Sequence, residues 1–244
     1  DNTVTTGKVH SSVISRERAG QYCGATVQVI PHITNEIQER ILKVNNDVDV
    51  VISEIGGTVG DIEGQPFLEA IRQMANRVGR ENVLYCHVTL VPYIAAAGEL
   101  KTKPTQHSVN ELRRLGIQPD VIVCRSVTHL GSDIREKIAL FGSVPKEAVV
   151  EATDVSSIYK IPLHLYEQRF DSLVMGKLGL EPKQEPHLDD WRDFVKASEN
   201  PERVVEVAMV GKYVSHKDAY LSVVEALTHA GTANLVRVKI RQVE

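Results

Sequence analysis

The sequence predicts an α/β fold with a mostly parallel sheet flanked by helices, followed by the beginning of a second α/β domain. Short β-branched runs alternate along the chain with segments of helical periodicity, and this alternation favours parallel βαβ units. A carboxylate, Glu54, and several glycines follow the first such run, residues 48–53. Ligands of open α/β sheets gather at the carboxyl ends of strands. The same segment therefore predicts where a site lies.

Each predicted element rests on a local signal. A helix over residues 34–44 begins at Thr34, a good capping residue, and places isoleucines on one face. Phe67, Ile71 and Met74 have the spacing of a second helical face. Short apolar runs predict buried strands at residues 48–53, 83–91, 119–124 and 148–152. Further helices are predicted at residues 108–115, stopped by Gly116, and at residues 134–141.

The composition changes near residue 180. The next seven residues are polar and include two prolines, which is typical of a linker. Beyond it, a strand at residues 206–211, a helix at 218–229 and a strand at 235–240 begin a second βαβ unit. The predicted organisation is a first domain over residues 1–180, a linker over 181–203 and the start of a second domain over 204–244.

Composition excludes several classes of protein. The chain has 244 residues, of which 42% are hydrophobic and 25% are charged, with a net charge of −4. This mildly acidic balance gives no nucleic-acid footprint, and no apolar run approaches the length of a membrane span. The three cysteines are far apart in sequence and suit reduced thiols in a cytoplasmic protein.

The segment from Glu54 to Glu63 carries the first candidate chemistry. Glycines at a strand end let backbone N–H groups approach an anion, and a carboxylate there can hold a magnesium ion that bridges phosphates. The alternative is a glycine-rich turn whose acids are simply solvated, with Asp61 and Glu63 favoured by the N-terminus of the next helix.

A second candidate site lies at residues 101–106, which have the sequence KTKPTQ. Two lysines flank a threonine, and converging ammonium and hydroxyl groups can hold a triphosphate. The alternative is an exposed basic loop. Lys137 is a third candidate, although most helix lysines are only solvated.

Three long segments resemble CTP synthases: GATVQVIPHIT at residues 24–34, GGTVGDIE at 56–63 with PFLEAIRQM at 66–74, and KTKPTQHS at 101–108. The resemblance extends from the first residue into the last forty or so. It implies a phosphate-loop NTPase-like amidoligase domain, related to dethiobiotin synthetase, followed by the opening of a glutamine amidotransferase domain. The family's N-terminal phosphate loop and its amidotransferase cysteine have no match here, so we expect this segment alone to be inactive.

The resemblance also implies roles for individual residues. Lys103 would be catalytic, and Glu54 would bind magnesium together with an acid upstream of this chain. UTP, or CTP as inhibitor, would contact Asp61, Ile62, Glu63, Lys101, Thr102, Lys103, Pro104, Thr105, Gln106 and Lys137. ATP would contact Thr153, Asp154 and Val155, although the threonine departs from the family's usual residue. His32 is expected to be structural, and Gln28 is a further possible nucleotide contact.

The implied activity is the ATP-dependent amination of UTP to CTP. ATP would phosphorylate the uracil oxygen at ring position 4, and ammonia from glutamine would displace the phosphate. CTP would be a feedback inhibitor, GTP an activator, and the enzyme a homotetramer built as a dimer of dimers. Two alternatives stay open: another amidoligase or carboxylating ligase of the phosphate-loop class, and a non-catalytic nucleotide-binding or filament-forming paralogue.

Overall fold

The computed structural model describes residues 3–44, 48–182, 184–214, 216 and 219–243. The chain divides into two compact units. The first unit comprises residues 1–154 with 168–181, and the second comprises residues 155–167 with 182–244. The domain boundaries predicted from the sequence stay a prediction.

The elements follow in chain order. They begin with α1 (Thr6–Arg18), α2 (Thr34–Leu42), α3 (Gln65–Val78), β1 (Cys86–Leu90), β2 (Tyr93–Ile94), β3 (Glu99–Leu100), α4 (Lys103–Arg114), β4 (Val121–Ser126), α5 (Ser132–Gly142) and β5 (Val149–Thr153). They continue with α6 (Ile161–Glu167), α7 (Phe170–Lys177), α8 (Asp189–Glu199), β6 (Arg203–Val210), α9 (Leu221–Ala233) and β7 (Val236–Val243). A π-helical turn, Val29–Ile33, leads into α2.

A three-stranded parallel sheet forms the centre of the first unit. Its strand order is β1-β4-β5, and β4 pairs in parallel with both neighbours. β4 is apolar and almost entirely buried, as expected for a central strand covered on both faces. Ile122 of β4 and Val149 of β5 share a core with Val109 of α4 and Ile138 of α5. The predicted parallel α/β architecture is confirmed.

Two further apolar clusters hold the helices. Val9 and Val13 of α1 pack with Ile37 of α2 and Ala70 of α3. On the other side of α3, Leu68 joins a small cluster from the α4 region. The predicted helices around residues 34–44 and 66–74 are thus confirmed. Their regularly spaced apolar residues face the core, as predicted.

The predicted strand at residues 48–53 is wrong. Residues 48–53 have no strand assignment, and Val50 and Ile52 are 43% and 92% exposed. Strand structure requires a hydrogen-bonded neighbour, and among the described residues no strand pairs with this run. Its β-branched composition is therefore not sufficient, since strand preference reflects packing more than the backbone itself.

The predicted start of the helix at residue 108 is also wrong. α4 begins at Lys103, with Pro104 in its first turn. Proline is well suited to this position, because its missing N–H would have no helical partner there and its φ angle is already helical. Residues 103–106 are therefore the first turn of a helix and are not part of a basic loop.

The second unit contains a parallel pair, β6 with β7, linked by α9, which confirms the second βαβ unit. Tyr159 is central to its packing. The Tyr159 hydroxyl contacts the Glu225 carboxylate and lies 2.6 Å from Nε2 of His229. The indole N–H of Trp191 donates a hydrogen bond of 2.7 Å to the Tyr159 carbonyl, and Phe194 packs edge-on against the Tyr159 ring.

Candidate functional site

An acidic cavity of about 500 Å³ lies in the first unit. It is lined by residues 3–6 at the start of α1, residues 54–58, and four residues that lead into α3: Asp61, Glu63, Gly64 and Phe67. The structure thus brings Glu54, Asp61 and Glu63 to the lining of one cavity, but not at the end of a strand as predicted, since residues 48–53 have no strand assignment.

Glycines shape the wall of this cavity. Gly57, which lines the cavity, and Gly60, which precedes the lining residue Asp61, have φ angles of +93° and +107°, a region in which residues with a side chain are strained. Asp61 follows in an extended conformation and its carbonyl accepts a hydrogen bond of 3.2 Å from the N–H of Gly64. This short turn begins the path into α3 and leaves Ile62 78% exposed.

The N-terminus of α1 also lines this cavity, and sequence analysis did not identify it. The Thr5 side chain caps this helix by accepting a hydrogen bond of 3.3 Å from the N–H of Lys8. The first turn has no acidic residue of its own, and the acids that share the cavity with this positive helix end come from other segments. A threonine pair before a glycine is a capping signal that could have identified this end.

The acidic cavity suits a magnesium ion only in part. Magnesium is commonly held by one or two carboxylates together with substrate phosphates, and Glu54 supplies such a carboxylate. Within the described ranges no three acidic, histidine or cysteine side chains are close enough to form a metal site. The donor set therefore fits an ion that arrives with its phosphates and does not fit one that the protein alone would hold.

The three predicted lysines gather at a different place. Lys101 precedes α4, Lys103 begins it, and Lys137 lies on α5, which packs against α4. The Lys103 ammonium lies 5.9 Å from the ring centre of Phe141, one turn after Lys137. The hydrogen bond and the charge of Lys101, with the charge of Lys137, hold the pKa of Glu99 below its ordinary value. We call Lys101, Lys103 and Lys137 the lysine group.

The remaining predicted contacts of this segment are mostly internal. Thr102, Thr105 and Gln106 are at most 6% exposed. The Thr105 hydroxyl donates to the carbonyl of Leu90 at 3.0 Å, and the Gln106 amide donates to the Thr102 hydroxyl at 2.9 Å. These side chains fix the first turn of α4, and among the described residues only Lys101, Lys103 and Pro104 of the segment 101–106 stay accessible.

The predicted ATP contacts lie at the carboxyl end of β5. Thr153 is the last residue of that strand and is in register with Ser126 of β4. The Asp154 N–H donates a hydrogen bond of 2.9 Å to the Ser126 carbonyl, and the Asp154 carboxylate lies 3.5 Å from the guanidinium of Arg125. Val155 belongs to the second unit. No sequence pattern predicted the ion pair between Asp154 and Arg125.

His32 has a structural contact. Its Nδ1 accepts a hydrogen bond of 3.0 Å from the N–H of Gln28, and its ring packs edge-on against Tyr22 at 4.7 Å between centres. This contact spans the π-helical turn and orients the backbone ahead of α2.

The acidic cavity and the lysine group both lie in the first unit. The family model for the CTP synthase N-terminus matches residues 1–180. This chain belongs to the CTP synthase family.

Individual CTP synthases are similar along the whole chain. The CTP synthase of Symbiobacterium thermophilum is 59% identical over 246 residues, and that of Rubrobacter xylanophilus is 59% identical over 243 residues. Both alignments cover 100% of this chain, but only 45% and 44% of those relatives. The CTP synthase of Methanocaldococcus jannaschii is 58% identical over 240 residues. The chain thus spans less than half the length of the CTP synthases that it matches.

In the described ranges, no helix combines the length and the apolar character that a bilayer crossing requires.

Proposed function

We propose that this chain is the N-terminal part of an enzyme that aminates UTP to CTP, using ATP and ammonia derived from glutamine. The observation that carries the proposal is the lysine group, three ammonium groups gathered around the N-terminal turn of α4. A triphosphate carries several negative charges, and both the lysines and the helix N-terminus favour an anion. The family assignment selects UTP among possible triphosphates.

The reaction needs activation because the oxygen at position 4 of uracil is a poor leaving group. The proton on N3 of uracil is lost to solvent, the oxygen at position 4 attacks the γ-phosphorus of ATP, an O–P bond forms, and the bond to ADP breaks. Ammonia then attacks carbon 4, the C–O bond breaks, inorganic phosphate leaves, and the nitrogen loses a proton. Phosphoryl transfer of this kind depends on positioning and charge stabilisation more than on covalent chemistry by the protein.

The residues of this chain divide these tasks. Lys101, Lys103 and Lys137 hold the UTP triphosphate, and Lys103 also stabilises the charge that develops on the transferred phosphoryl group. Asp61, Ile62 and Glu63 position the pyrimidine nucleotide, while Thr153, Asp154 and Val155 contact ATP. The buried side chains of Thr102, Thr105 and Gln106 contribute indirectly, because they stabilise the first turn of α4. Pro104 fixes the start of that turn.

The carboxylate of Glu54 would hold magnesium together with the phosphates of ATP. The ion neutralises phosphate charge when bound. Feedback inhibition by CTP, activation by GTP, a tetrameric assembly and a cytoplasmic location are further predictions that follow from the family.

The direct test uses the full-length protein. We expect CTP to form from UTP and ATP with ammonium chloride as nitrogen source, which makes glutamine hydrolysis unnecessary. Lys103→Ala should abolish product formation, whereas Lys177→Ala, an exposed lysine at the end of α7, should not. A wild-type protein that binds UTP and ATP without forming CTP would favour the non-catalytic paralogue.

A further inference from the structure

A short hairpin connects β1 to α4 and carries an ion pair. β2 and β3 are antiparallel, with Ile94 opposite Glu99. The N–H of Lys101 donates a hydrogen bond of 2.9 Å to the Pro92 carbonyl, which extends the hairpin pairing to this residue. Glu99 and Lys101 are two positions apart, so their side chains share a face. The Lys101 ammonium lies 2.5 Å from the Glu99 carboxylate.

Glu99 also faces a second member of the lysine group. The charge of Lys137 contributes, after Lys101, to the low pKa of the Glu99 carboxyl group. The Lys103 ammonium instead lies over the Phe141 ring. The exposed Glu99 carboxylate thus pairs directly with Lys101 and is within electrostatic reach of Lys137, two of the three lysines that the proposed function assigns to the triphosphate.

We propose that Glu99 is an internal counter-ion of the lysine group, which occupies the position of a phosphate in the unliganded protein and is displaced when a triphosphate binds. The inference rests on the proposed function, because it assigns the same lysines to the same ligand. Glu99 holds the Lys101 side chain near its working position. It also competes with the ligand, since the ion pair must break before a phosphate can take its place. Glu99 is therefore a positioning residue that lowers triphosphate affinity.

The magnitude follows from the exposure of the pair. The two side chains are 45% and 57% exposed, and exposed ion pairs contribute little because water and salt screen them. Removal of the competitor should therefore tighten triphosphate binding about two- to fivefold.

The experiment is calorimetric titration of the full-length protein with UTP and, separately, with inorganic tripolyphosphate. Glu99→Gln should bind both ligands about two- to fivefold more tightly than the wild type. Glu111→Gln is the matched control, because Glu111 also pairs with a cation, Arg114, but at the other end of α4. This control should bind as the wild type does.

A double-mutant cycle separates displacement from simple repulsion. If Glu99 competes through Lys101, the gain from Glu99→Gln should vanish in a Lys101→Met background. A gain of the same size in that background would overturn the inference, as would weaker or unchanged binding of UTP by Glu99→Gln alone. If Lys101→Met and Lys103→Ala left UTP binding intact, the proposed triphosphate site itself would be wrong.

Discussion

Thr105 ties the first turn of α4 to the end of β1 through a hydrogen bond of 3.0 Å from its hydroxyl to the carbonyl of Leu90. The same oxygen lies 3.1 Å from the hydroxyl of Thr89, and Thr105 is only 1% exposed. This contact couples the edge of the sheet to the turn that presents Lys101 and Lys103. The positions of Lys101 and Lys103 therefore depend on a buried hydroxyl that does not need to touch the ligand.

Thr105→Val tests this dependence. The substitution keeps the shape but leaves the Leu90 carbonyl without its donor, which should cost about 1–3 kcal/mol in the free energy of unfolding. Urea denaturation of the full-length protein measures the loss, and the KM for UTP should rise as the turn loosens. Thr128→Val, at an exposed position, should change stability by less than about 0.5 kcal/mol. An unchanged free energy of unfolding in Thr105→Val would show that the contact is dispensable.

Glu54→Ala tests the proposed magnesium ligand. In the full-length enzyme we expect CTP formation to fall by about 100-fold or more, because charge stabilisation at the phosphates is lost, while glutamine hydrolysis persists at least in part. Product formation and glutamate release are measured in parallel. Glu147→Ala, at an exposed turn before β5, is the control. Near-normal CTP synthesis by Glu54→Ala would contradict the assignment.

The architecture could be predicted from the sequence where the pattern of apolar residues reflects burial in the core. The apolar runs of β4 and β5 are buried in the sheet, and the helical spacing around Ile37 and Met74 corresponds to buried faces. The same kind of signal failed at residues 48–53, because a β-branched run becomes a strand only when a neighbouring strand pairs with it.

The site was predictable in part. The glycines of residues 56–64 indicated the wall of the acidic cavity, where Gly57 has a positive φ angle. Charge alone could not show that Thr105 and Gln106 are buried, since this depends on where Pro104 starts the helix. Glu99 was missed because its importance comes from a hairpin pairing that brings it beside Lys101.

Lys137→Ala tests whether substrate and inhibitor share one triphosphate site. Loss of one ammonium contact to a charged ligand should raise the UTP requirement about tenfold or more, and it should weaken inhibition by CTP to a similar degree. Initial rates at several UTP and CTP concentrations give both constants. Lys146→Ala, at a half-buried lysine paired with Glu136, should leave both unchanged. Collapse of UTP binding with normal CTP inhibition would exclude a shared site.

A further prediction concerns assembly. Among the described residues, the lining of the acidic cavity includes none of the lysine group, although both sets are assigned to one pyrimidine nucleotide. A site completed by a second chain would reconcile the two, and ligand that binds only the assembled form would then stabilise it by mass action. We expect UTP with ATP, or CTP alone, to shift the full-length protein from dimer to tetramer in light scattering. A monomer that binds CTP tightly at every concentration would contradict this.

The most direct test of the central claim follows the oxygen of UTP. The full-length enzyme is supplied with UTP that carries oxygen-18 at position 4, together with ATP and ammonium chloride, and the phosphate released is analysed by mass spectrometry. If ATP activates the uracil oxygen, the label must leave with inorganic phosphate, one labelled phosphate for each CTP formed, and Lys103→Ala should lose label transfer and CTP formation together. Unlabelled phosphate alongside normal CTP formation would contradict the account.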